Sequence, residues 1–386
     1  MLRRIGVLLF LSYLAVGMSL PTTSLFVREQ LHMSNGFAGL AVGIAFLSTI
    51  FSRTPAGKLA DRFGGKRAVI IGMLLYVVAA GICATAAFLP VTHFISFALL
   101  LSGRIVLGLG ESFTVVGVLS WGFGLMGGHR AGRVLTVVGM AMYGALAVGS
   151  LLGLDVMHRA GYAGMSAACA ILPLIGLALA LPVAAAVPHH GLREPMHRLL
   201  GRIWDLGMVV FLQGIGFAVI GAFMPLLFLV RHWPHVALGL TAFGAAFVLV
   251  RVFCGHLPDR IGGARVAAVS LAVETTGQAL ILFAATPGFA LIGAFLTGAG
   301  CSMMFPAMGV EVIRRIPAHL RGTAMGVFSA FQDLAYGATG PLTGLLADRY
   351  GYGSVFLVGT IAAALGLAGA CNLIRLDRRE SDVSSG

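Results

Sequence analysis

The amino-acid sequence predicts an all-α membrane protein whose twelve transmembrane helices form two pseudo-symmetric six-helix bundles. Only 10% of its 386 residues are charged, whereas a soluble domain has about 25%. Mean hydropathy is +0.96, and the apolar residues come in blocks of about twenty, enough for an α-helix to cross the ~30 Å bilayer core. A charged, glycine-rich stretch also occurs twice, half a chain apart. The first two observations place the chain in a membrane, and the repeat divides it into two similar halves.

The apolar blocks define twelve predicted spans, all with short connections between them. In chain order they lie at approximately 5–27, 37–56, 68–89, 94–120, 133–156, 164–187, 204–229, 237–254, 266–285, 289–312, 323–346 and 354–374. The longest connection, at 188–203, is basic and interrupted by prolines. We therefore predict an N-terminal bundle at 1–187, a cytoplasmic connector at 188–203, a C-terminal bundle at 204–376 and a cytoplasmic tail at 377–386.

The basic residues predict how the chain is oriented in the membrane. With both termini in the cytoplasm, nineteen of the 26 Lys and Arg fall in cytoplasmic segments, four outside and three within spans. This asymmetry is the positive-inside pattern. The net charge of +12 is therefore an orientation signal, and we expect no nucleic-acid partner. The predicted location is the bacterial inner membrane.

The repeated stretch covers residues 53–67 and 251–265, 198 positions apart, and eight of its fifteen positions are identical. Three further pairs recur in the same order, which makes chance similarity improbable. They are Gly17–Pro21 with Gly221–Pro225, Gly108–Gly110 with Gly298–Gly300, and Tyr143-Gly-Ala with Tyr336-Gly-Ala. A duplicated membrane protein of this kind is typical of secondary transporters.

Several other classes of function are disfavoured by the sequence. The five cysteines all lie in apolar spans and form no Cys-x-x-Cys pair, so we expect neither a disulfide framework nor a metal site. The chain has no Gly-x-x-x-x-Gly-Lys-Ser/Thr, which argues against ATP as the driving force. It also has no nucleophile–base set, so we predict that it is not an enzyme and needs no cofactor.

Two motifs carry a resemblance to a known family. Residues 57–67, Gly-Lys-Leu-Ala-Asp-Arg-Phe-Gly-Gly-Lys-Arg, resemble the loop 2–3 signature of the major facilitator superfamily, and Arg104–Gly110 resembles its second signature. The resemblance covers the whole chain and implies a central cavity lined by spans 1, 4, 7 and 10, with alternating access driven by an ion gradient. Within the superfamily the chain is most similar to bacterial sugar and multidrug efflux permeases. We expect it to act as a monomer on protons and a small molecule.

The duplicated stretch is interpreted as a gate. Asp61 and Asp259 follow an inner helix end, where each can pair with an Arg or meet the positive end of a helix in only one conformation. A static loop anchored by its charges is the alternative. The predicted gating residues are Arg53, Gly57, Asp61, Arg62, Arg251, Gly255, Asp259 and Arg260.

Charged residues deep in the spans are the candidates for proton coupling or substrate binding. Arg104 and Glu111 lie seven residues apart, two turns along one face of span 4. A charge at that depth costs at least ~2.5–3.5 kcal/mol, so each should face a cavity or a partner. The two residues are predicted to form a proton-coupling pair. Alternatively, Arg104 receives an anionic substrate group, or the two form a structural bridge. Asp333 in span 11 is a second candidate proton carrier, and Glu274 in span 9 is a weaker one.

Seven uncharged polar residues within spans are candidates for the cavity wall. For each of them, a hydrogen bond between helices is the alternative reading. They are Tyr13, Ser19, Thr22, Thr23, Tyr143, Gln213 and Ser302.

The leading functional hypothesis is a proton-coupled antiporter that exports a small, sugar-like or drug-like organic molecule. The antiporter signature of the superfamily has Gly-Pro in span 5, but Gly149–Gly153 lacks the proline. A Gly340-Pro341 pair occurs instead in the mirror-related span 11. A proton symporter that imports a small organic anion or sugar therefore stays open as the alternative.

Overall fold

The computed structural model describes residues 2–126, 131–185, 196–317 and 321–385. Within these ranges the chain forms twelve α-helices and no strand. The helices are α1 Leu2–Leu25, α2 Asn35–Phe63, α3 Gly65–Phe88, α4 His93–Met126, α5 Ala131–Ala180, α6 Met196–Val230, α7 Leu238–Cys254, α8 Leu257–Ile261, α9 Gly263–Leu282, α10 Pro287–Arg315, α11 Arg321–Tyr350 and α12 Tyr352–Ser385. A π-helical turn at Phe26–Gln30 extends α1.

These helices supply the twelve predicted spans, although helices and spans do not correspond one to one. Helix α5 contains the fifth and sixth spans, which meet at Gly161, where φ is 69°. Helix α8 is a single turn inside the second copy of the repeated stretch. All other helices provide one span each, including the 17-residue α7. The predicted all-helical fold is confirmed.

Two predicted segment boundaries, at 203/204 and 376/377, fall inside helices. Residues 186–195, which include the first half of the predicted connector, lie outside the described residues. From Met196 onward the chain is already helical, as the start of α6. Helix α12 continues to Ser385, through the predicted tail.

Close glycine contacts hold the helices of each half together. A Cβ added to Gly110 of α4 would lie 2.9 Å from the carbonyl oxygen of Gly72 on α3. In the second half, a Cβ on Gly300 of α10 would lie 2.5 Å from the carbonyl oxygen of Ser270 on α9. Lipid gives helices little hydrophobic drive to associate, so close backbone approach at small residues stabilises the pairs. The Gly110–Gly300 correspondence seen in sequence is thus a packing correspondence.

The repeated stretches lie at one face of the molecule, here called the basic face. Both contain a glycine with φ of 90°, Gly64 and Gly262, between two helices. A side chain is strained at that backbone conformation, so glycine is required at both positions. The other end of the bundle, which contains the turn before Asn35 and the α11–α12 junction, is called the opposite face.

The two halves are closed against each other at the opposite face. Helices α2 and α11 cross where Gly39 faces the backbone of Gly340 and Gly43 faces that of Gly337, with no room for a Cβ. The pseudo-symmetric pair α5–α7 is also closed there, because Ser150 Oγ donates to the carbonyl oxygen of Ala237 at 3.0 Å.

Asp348 of α11 stabilises the α2–α11 crossing through hydrogen bonds to α2. Its carboxylate accepts hydrogen bonds from the backbone N–H groups of Asn35 at 2.8 Å and Gly36 at 3.0 Å, at the N-terminus of α2. Those N–H groups have no partner within their own helix, and the helix dipole favours a negative charge there. A residue of the second half therefore caps a helix of the first.

Toward the basic face α2 and α11 diverge. Gly57 continues the face of α2 that contains Gly39 and Gly43, and Gly326 continues the face of α11 that contains Gly337 and Gly340. A Cβ at Gly57 or at Gly326 would meet no atom of the described residues within 4 Å. The space between the two helices thus opens toward the basic face.

Candidate functional site

A cavity with an empty volume of about 570 Å³ lies between the two halves. Its walls come from α1, α2, α4, α5, α6 and α11. The lining residues are Tyr13, Val16, Leu20, Phe46, Thr49, Arg53, Glu111, Ser112, Val115, Met142, Tyr143, Leu146, Phe217, Gln332, Asp333 and Tyr336. Spans 1, 4 and 7 line it as expected, but the tenth span, α10, contributes none of these residues. Helices α2, α5 and α11 take its place because they meet at the boundary between halves.

An ion pair joins the two halves at mid-depth. Arg53 of α2 donates from Nε to Asp333 Oδ2 at 2.5 Å and from Nη2 to Asp333 Oδ1 at 2.9 Å. The Asp333 side chain is 8% exposed and that of Arg53 is 26% exposed. A two-pronged guanidinium–carboxylate contact of this kind is strong and directional. The predicted gating residue Arg53 and the predicted proton carrier Asp333 therefore form one unit.

Glu111 faces the same cavity from α4. Tyr13 of α1 donates its hydroxyl to Glu111 Oε1, and Glu111 Oε2 is buried without a hydrogen-bond partner among the described residues. Arg53 is close enough to interact electrostatically with Glu111. One carboxylate oxygen is thus fixed by the wall, and the other has no hydrogen-bond donor.

The sequence predicts that Arg104 pairs with Glu111, but in the structure Arg104 forms its hydrogen bonds with other groups. It is 1% exposed and donates to the carbonyl oxygens of Ala41 at 3.0 Å and Val42 at 3.4 Å, and to Ser19 Oγ at 2.8 Å. It lines a separate small pocket inside the first half. The acceptors of Arg104 belong to α1 and α2. Residue spacing along α4 alone cannot reveal partners on other helices.

Aromatic rings from both halves form a further part of the cavity wall. Phe217 lies 4.5 Å from Tyr336 and 6.2 Å from Tyr143 between ring centroids, and Phe46 lies 5.2 Å from Tyr336. Within this group, only Tyr143 is a cavity candidate from sequence. The repeated Tyr-Gly-Ala was the available signal for Tyr336, whereas Phe46 and Phe217 look like ordinary core residues in sequence.

Of the seven uncharged candidates, only Tyr13 and Tyr143 line the central cavity. The other five are buried, and the contacts of their side chains lie within one half. Ser19 binds Arg104, Thr22 donates to the carbonyl oxygen of Met18, Thr23 meets the Tyr162 hydroxyl, Gln213 donates to Cys301, and Ser302 donates to the carbonyl oxygen of Phe247.

Glu274 of α9 lies outside the cavity, fully buried in the second half. Neither of its carboxylate oxygens has a hydrogen-bond partner in the described part of the chain. It faces Cys301 and Gln213. Cys301 is the counterpart of Glu111 in the repeat. Glu274, which lies beside Cys301, therefore puts a carboxylate near the equivalent position of the second half, but from α9 instead of α10.

The remaining gating candidates lie at or near the basic face. Asp61 and Arg62 are in the last turn of α2, with the Arg62 guanidinium 5.1 Å from the centre of the Phe63 ring. Gly255 follows α7, and Asp259 and Arg260 lie in the short α8. Among the described residues, no group of three or more His, Cys, Asp or Glu could hold a metal ion.

Comparison with known proteins agrees with this architecture. The sequence profile of the Major Facilitator Superfamily matches residues 5–262 and 206–386. The chain belongs to this superfamily. An uncharacterized MFS-type transporter of Salmonella typhimurium is 46% identical over 374 residues, covering 96% of each chain. A second, from Pseudomonas aeruginosa, is 39% identical over 376 residues, which cover 96% of this chain and 92% of the relative.

Solved structures of the superfamily share the fold at low sequence identity. A mutant of the nucleoside transporter NupG has a TM-score of 0.78 at 13% identity, covering 96% of this chain and 99% of its own. The D-xylose-proton symporter has a TM-score of 0.74 at 16% identity, covering 95% of both chains. The protein is thus a major facilitator superfamily transporter, with Glu111 and the Arg53–Asp333 pair in its central cavity.

Proposed function

We propose that this transporter is a proton-coupled antiporter that exports a small organic molecule by alternating access. The observation that carries the proposal is the content of the central cavity. It contains a carboxylate with one unpartnered oxygen, Glu111, beside an ion pair that joins the halves. Few other charged groups lie this deep in the helices, and these three meet at the boundary that must move.

Glu111 is the proposed proton carrier. Removal from water disfavours the charged form of a carboxyl group, so binding and release of a proton become easy to link to cavity opening. When Glu111 is charged, it competes with Asp333 for Arg53, since all three groups lie within electrostatic reach. When Glu111 is protonated, Arg53 returns to Asp333. Proton binding would therefore alter the contact between α2 and α11.

A shared cavity favours exchange over co-transport. The aromatic wall and Glu111 line one space, so an organic molecule that fills it displaces the water through which Glu111 exchanges its proton. Proton and substrate then occupy the site in turn, which is the requirement for antiport. A symporter would instead hold both at once, and this is the alternative that the direction of transport tests.

The proposed location is the bacterial inner membrane with the basic face in the cytoplasm. The excess of Lys and Arg in the segments at that face supports this orientation, and the relatives are bacterial. In this orientation the cavity opens to the cytoplasm, where an export substrate is collected. The repeated stretch at the basic face, with Asp61 and Asp259, is proposed to act as the gate.

The test uses inside-out membrane vesicles with an imposed proton gradient. Candidate compounds are screened for dissipation of the gradient, in vesicles with the intact transporter, Glu111→Gln, Asp333→Asn or the surface control Asp155→Asn. We expect dissipation with the intact protein and the control, and at least a tenfold slower rate with the first two variants. Unchanged rates in both would refute proton carriage by this cavity.

The direction of transport is tested with the same compound. In inside-out vesicles with an acidic interior, an exporter that exchanges for protons accumulates the compound, because its cytoplasmic face is outside. Accumulation in right-side-out vesicles with an acidic exterior, and none in inside-out vesicles, would instead establish symport.

A further inference from the structure

Arg251 is a cation without a carboxylate partner. It lies near the basic-face end of α7, is partly exposed, and forms no ion pair with any described Asp or Glu. Nη2 donates to the carbonyl oxygen of Ser302 at 2.5 Å, while Nε is buried and donates to no acceptor in the described part of the chain. A buried donor left unsatisfied is costly, so this group calls for a partner.

The counterpart of Arg251 in the first half shows what that partner is chemically. Arg53 occupies the same position of the repeated stretch, and there Nε and Nη2 both donate to the carboxylate of Asp333. The register that aligns Tyr336 with Tyr143 aligns Asp333 with Met140. The α5–α7 contact therefore repeats the α11–α2 contact with the cation retained and the carboxylate replaced by a thioether.

A glycine of α5 faces Arg251. A Cβ at Gly139 of α5 would lie 3.8 Å from the Arg251 guanidinium carbon, and Gly139 is the counterpart of the cavity residue Gln332. No side chain therefore projects from α5 at this position. The guanidinium also lies 5.1 Å from the ring centre of Phe247, which accommodates its apolar flank.

Arg251 lies close to the wall of the central cavity. Phe247, one turn before Arg251 on α7, stacks on the cavity residue Tyr143 with ring centroids 3.4 Å apart. Gly139 lies one turn before Tyr143 on α5. Arg251 is therefore one helical turn from the aromatic wall, on its basic-face side.

We propose that Arg251 binds a carboxylate or phosphate group of the transported molecule, so that the substrate class is small organic anions with an apolar body. Guanidinium groups bind both anions through two parallel N–H donors. The other two deep arginines are already occupied, since Arg104 has three acceptors and Arg53 has Asp333. The inference rests on the transport function proposed above and adds the chemistry of the cargo.

The binding test uses the purified full-length protein in detergent and matched acid and neutral probes. Melting temperature is measured against concentration for benzoate with benzamide, gluconate with glucose, and glucose 6-phosphate with glucose. We expect at least one acid to stabilise the wild type more than its neutral partner does. Arg251→Gln should weaken its apparent affinity by about tenfold or more, equivalent to ~1.4 kcal/mol, and Arg251→Lys by less.

Arg202→Gln is the matched control, because it removes the same charge from an exposed position near the start of α6. It should bind the acid as the wild type does. The proposal is overturned if no acid exceeds its neutral partner, or if Arg251→Gln and Arg202→Gln lose affinity equally. In the wild type, the bound acid should also protect Arg251 from modification by phenylglyoxal, as read by mass spectrometry. Absence of that protection overturns the proposal even if the variants fail to fold.

Binding in detergent requires no proton gradient, which separates this inference from proton coupling. If the acid binds through Arg251 while Glu111→Gln transports normally, the cargo assignment stands and proton carriage fails. If transport depends on Glu111 but Arg251→Gln binds every probe as the wild type does, the cargo assignment fails and proton carriage stands.

Discussion

The hydroxyl oxygens of Tyr143 and Tyr336 lie 3.5 Å apart across the boundary between the two halves. The two residues hold equivalent positions in the repeated Tyr-Gly-Ala. Equivalent residues that meet must lie beside the axis that relates the halves. This contact therefore places both tyrosines, which line the cavity, beside that axis.

Replacement of either tyrosine with phenylalanine should affect substrate affinity rather than folding. Each ring would keep its contact with Phe217, and only the hydroxyl contact would be lost, which is worth about 1 kcal/mol. We expect a few-fold higher KM for Tyr143→Phe and Tyr336→Phe, with kcat and melting temperature nearly unchanged. The double variant should be less than additive if the two hydroxyl groups act together. Full additivity would show that each acts alone.

Exchange of the charges of Arg53 and Asp333 should restore what each single change removes. Loss of one partner from a buried ion pair costs up to about 3–5 kcal/mol, and less here because the Arg53 side chain is 26% exposed. Arg53→Asp and Asp333→Arg should each reduce gradient-driven transport at least tenfold and lower the melting temperature. The double variant should recover the melting temperature and part of the transport rate.

The measurement compares the melting temperature and transport rate of the two single variants and the double variant in the same vesicles. If the double variant has no higher melting temperature or transport rate than either single variant, the contact is not simply electrostatic, and Arg53 and Asp333 act separately.

The fold was predictable from the sequence to a much larger extent than the site was. Length and hydropathy determine the spans, and the repeated stretch determines the halves, because both are properties of continuous segments. Arg53 and Asp333 lie 280 residues apart, and no pattern along one helix indicates a partner on another. The same limit applies to Arg104 and Glu111, since their seven-residue spacing on α4 does not show that Arg104 donates to α1 and α2.

The repeat contains more information about the cavity than its motifs show singly. Aligning α5 with α11 through Tyr143 and Tyr336 would have marked Tyr336 as a cavity residue. It would also have shown that Arg251 lacks the equivalent of Asp333. Whether a given polar residue such as Ser19 faces the cavity or a neighbouring helix depends on helix rotation, which twelve apolar spans leave undetermined.

Asp61→Asn should slow turnover without weakening binding. The residue lies in the last turn of α2, beside the basic face and away from the cavity lining. A gating contact made in one conformation changes the rate or balance of the conformational step. We expect kcat to fall several-fold while the detergent-measured affinity for the cargo is retained. A loss of affinity with unchanged kcat would contradict the gating role.

Gly39→Ala should hold the halves apart at the opposite face. Its Cβ would overlap the backbone of Gly340, and overpacking of this kind costs about 1–3 kcal/mol. The conformation closed at the opposite face should therefore become less populated. Spin labels at Pro90 and Ala285, both exposed at that face, would report the change as a longer distance by pulsed electron resonance.

Gly81→Ala in α3 is the control, since its Cβ would meet no atom of the described residues within 4 Å. It should leave the label distance unchanged. Equal lengthening in both variants would mean that the glycines act through helix propensity rather than through the crossing.

Asp348→Ala should also open the opposite face, although no steric clash is introduced. The change removes two hydrogen bonds to the first N–H groups of α2, and loss of a helix cap costs about 0.5–2 kcal/mol. The ratio of closed to open molecules should fall by roughly 2- to 30-fold, because 1.4 kcal/mol corresponds to a factor of ten. The repeat supplies the matched control in Asp155, which aligns with Asp348 but pairs with Arg159 on its own helix at 2.9 Å with half of its side chain exposed. Asp155→Ala should leave the label distance at Pro90 and Ala285 as it is in the wild type. If the two aspartate variants shift it equally, the closure comes from charge at that face and not from the cap on α2.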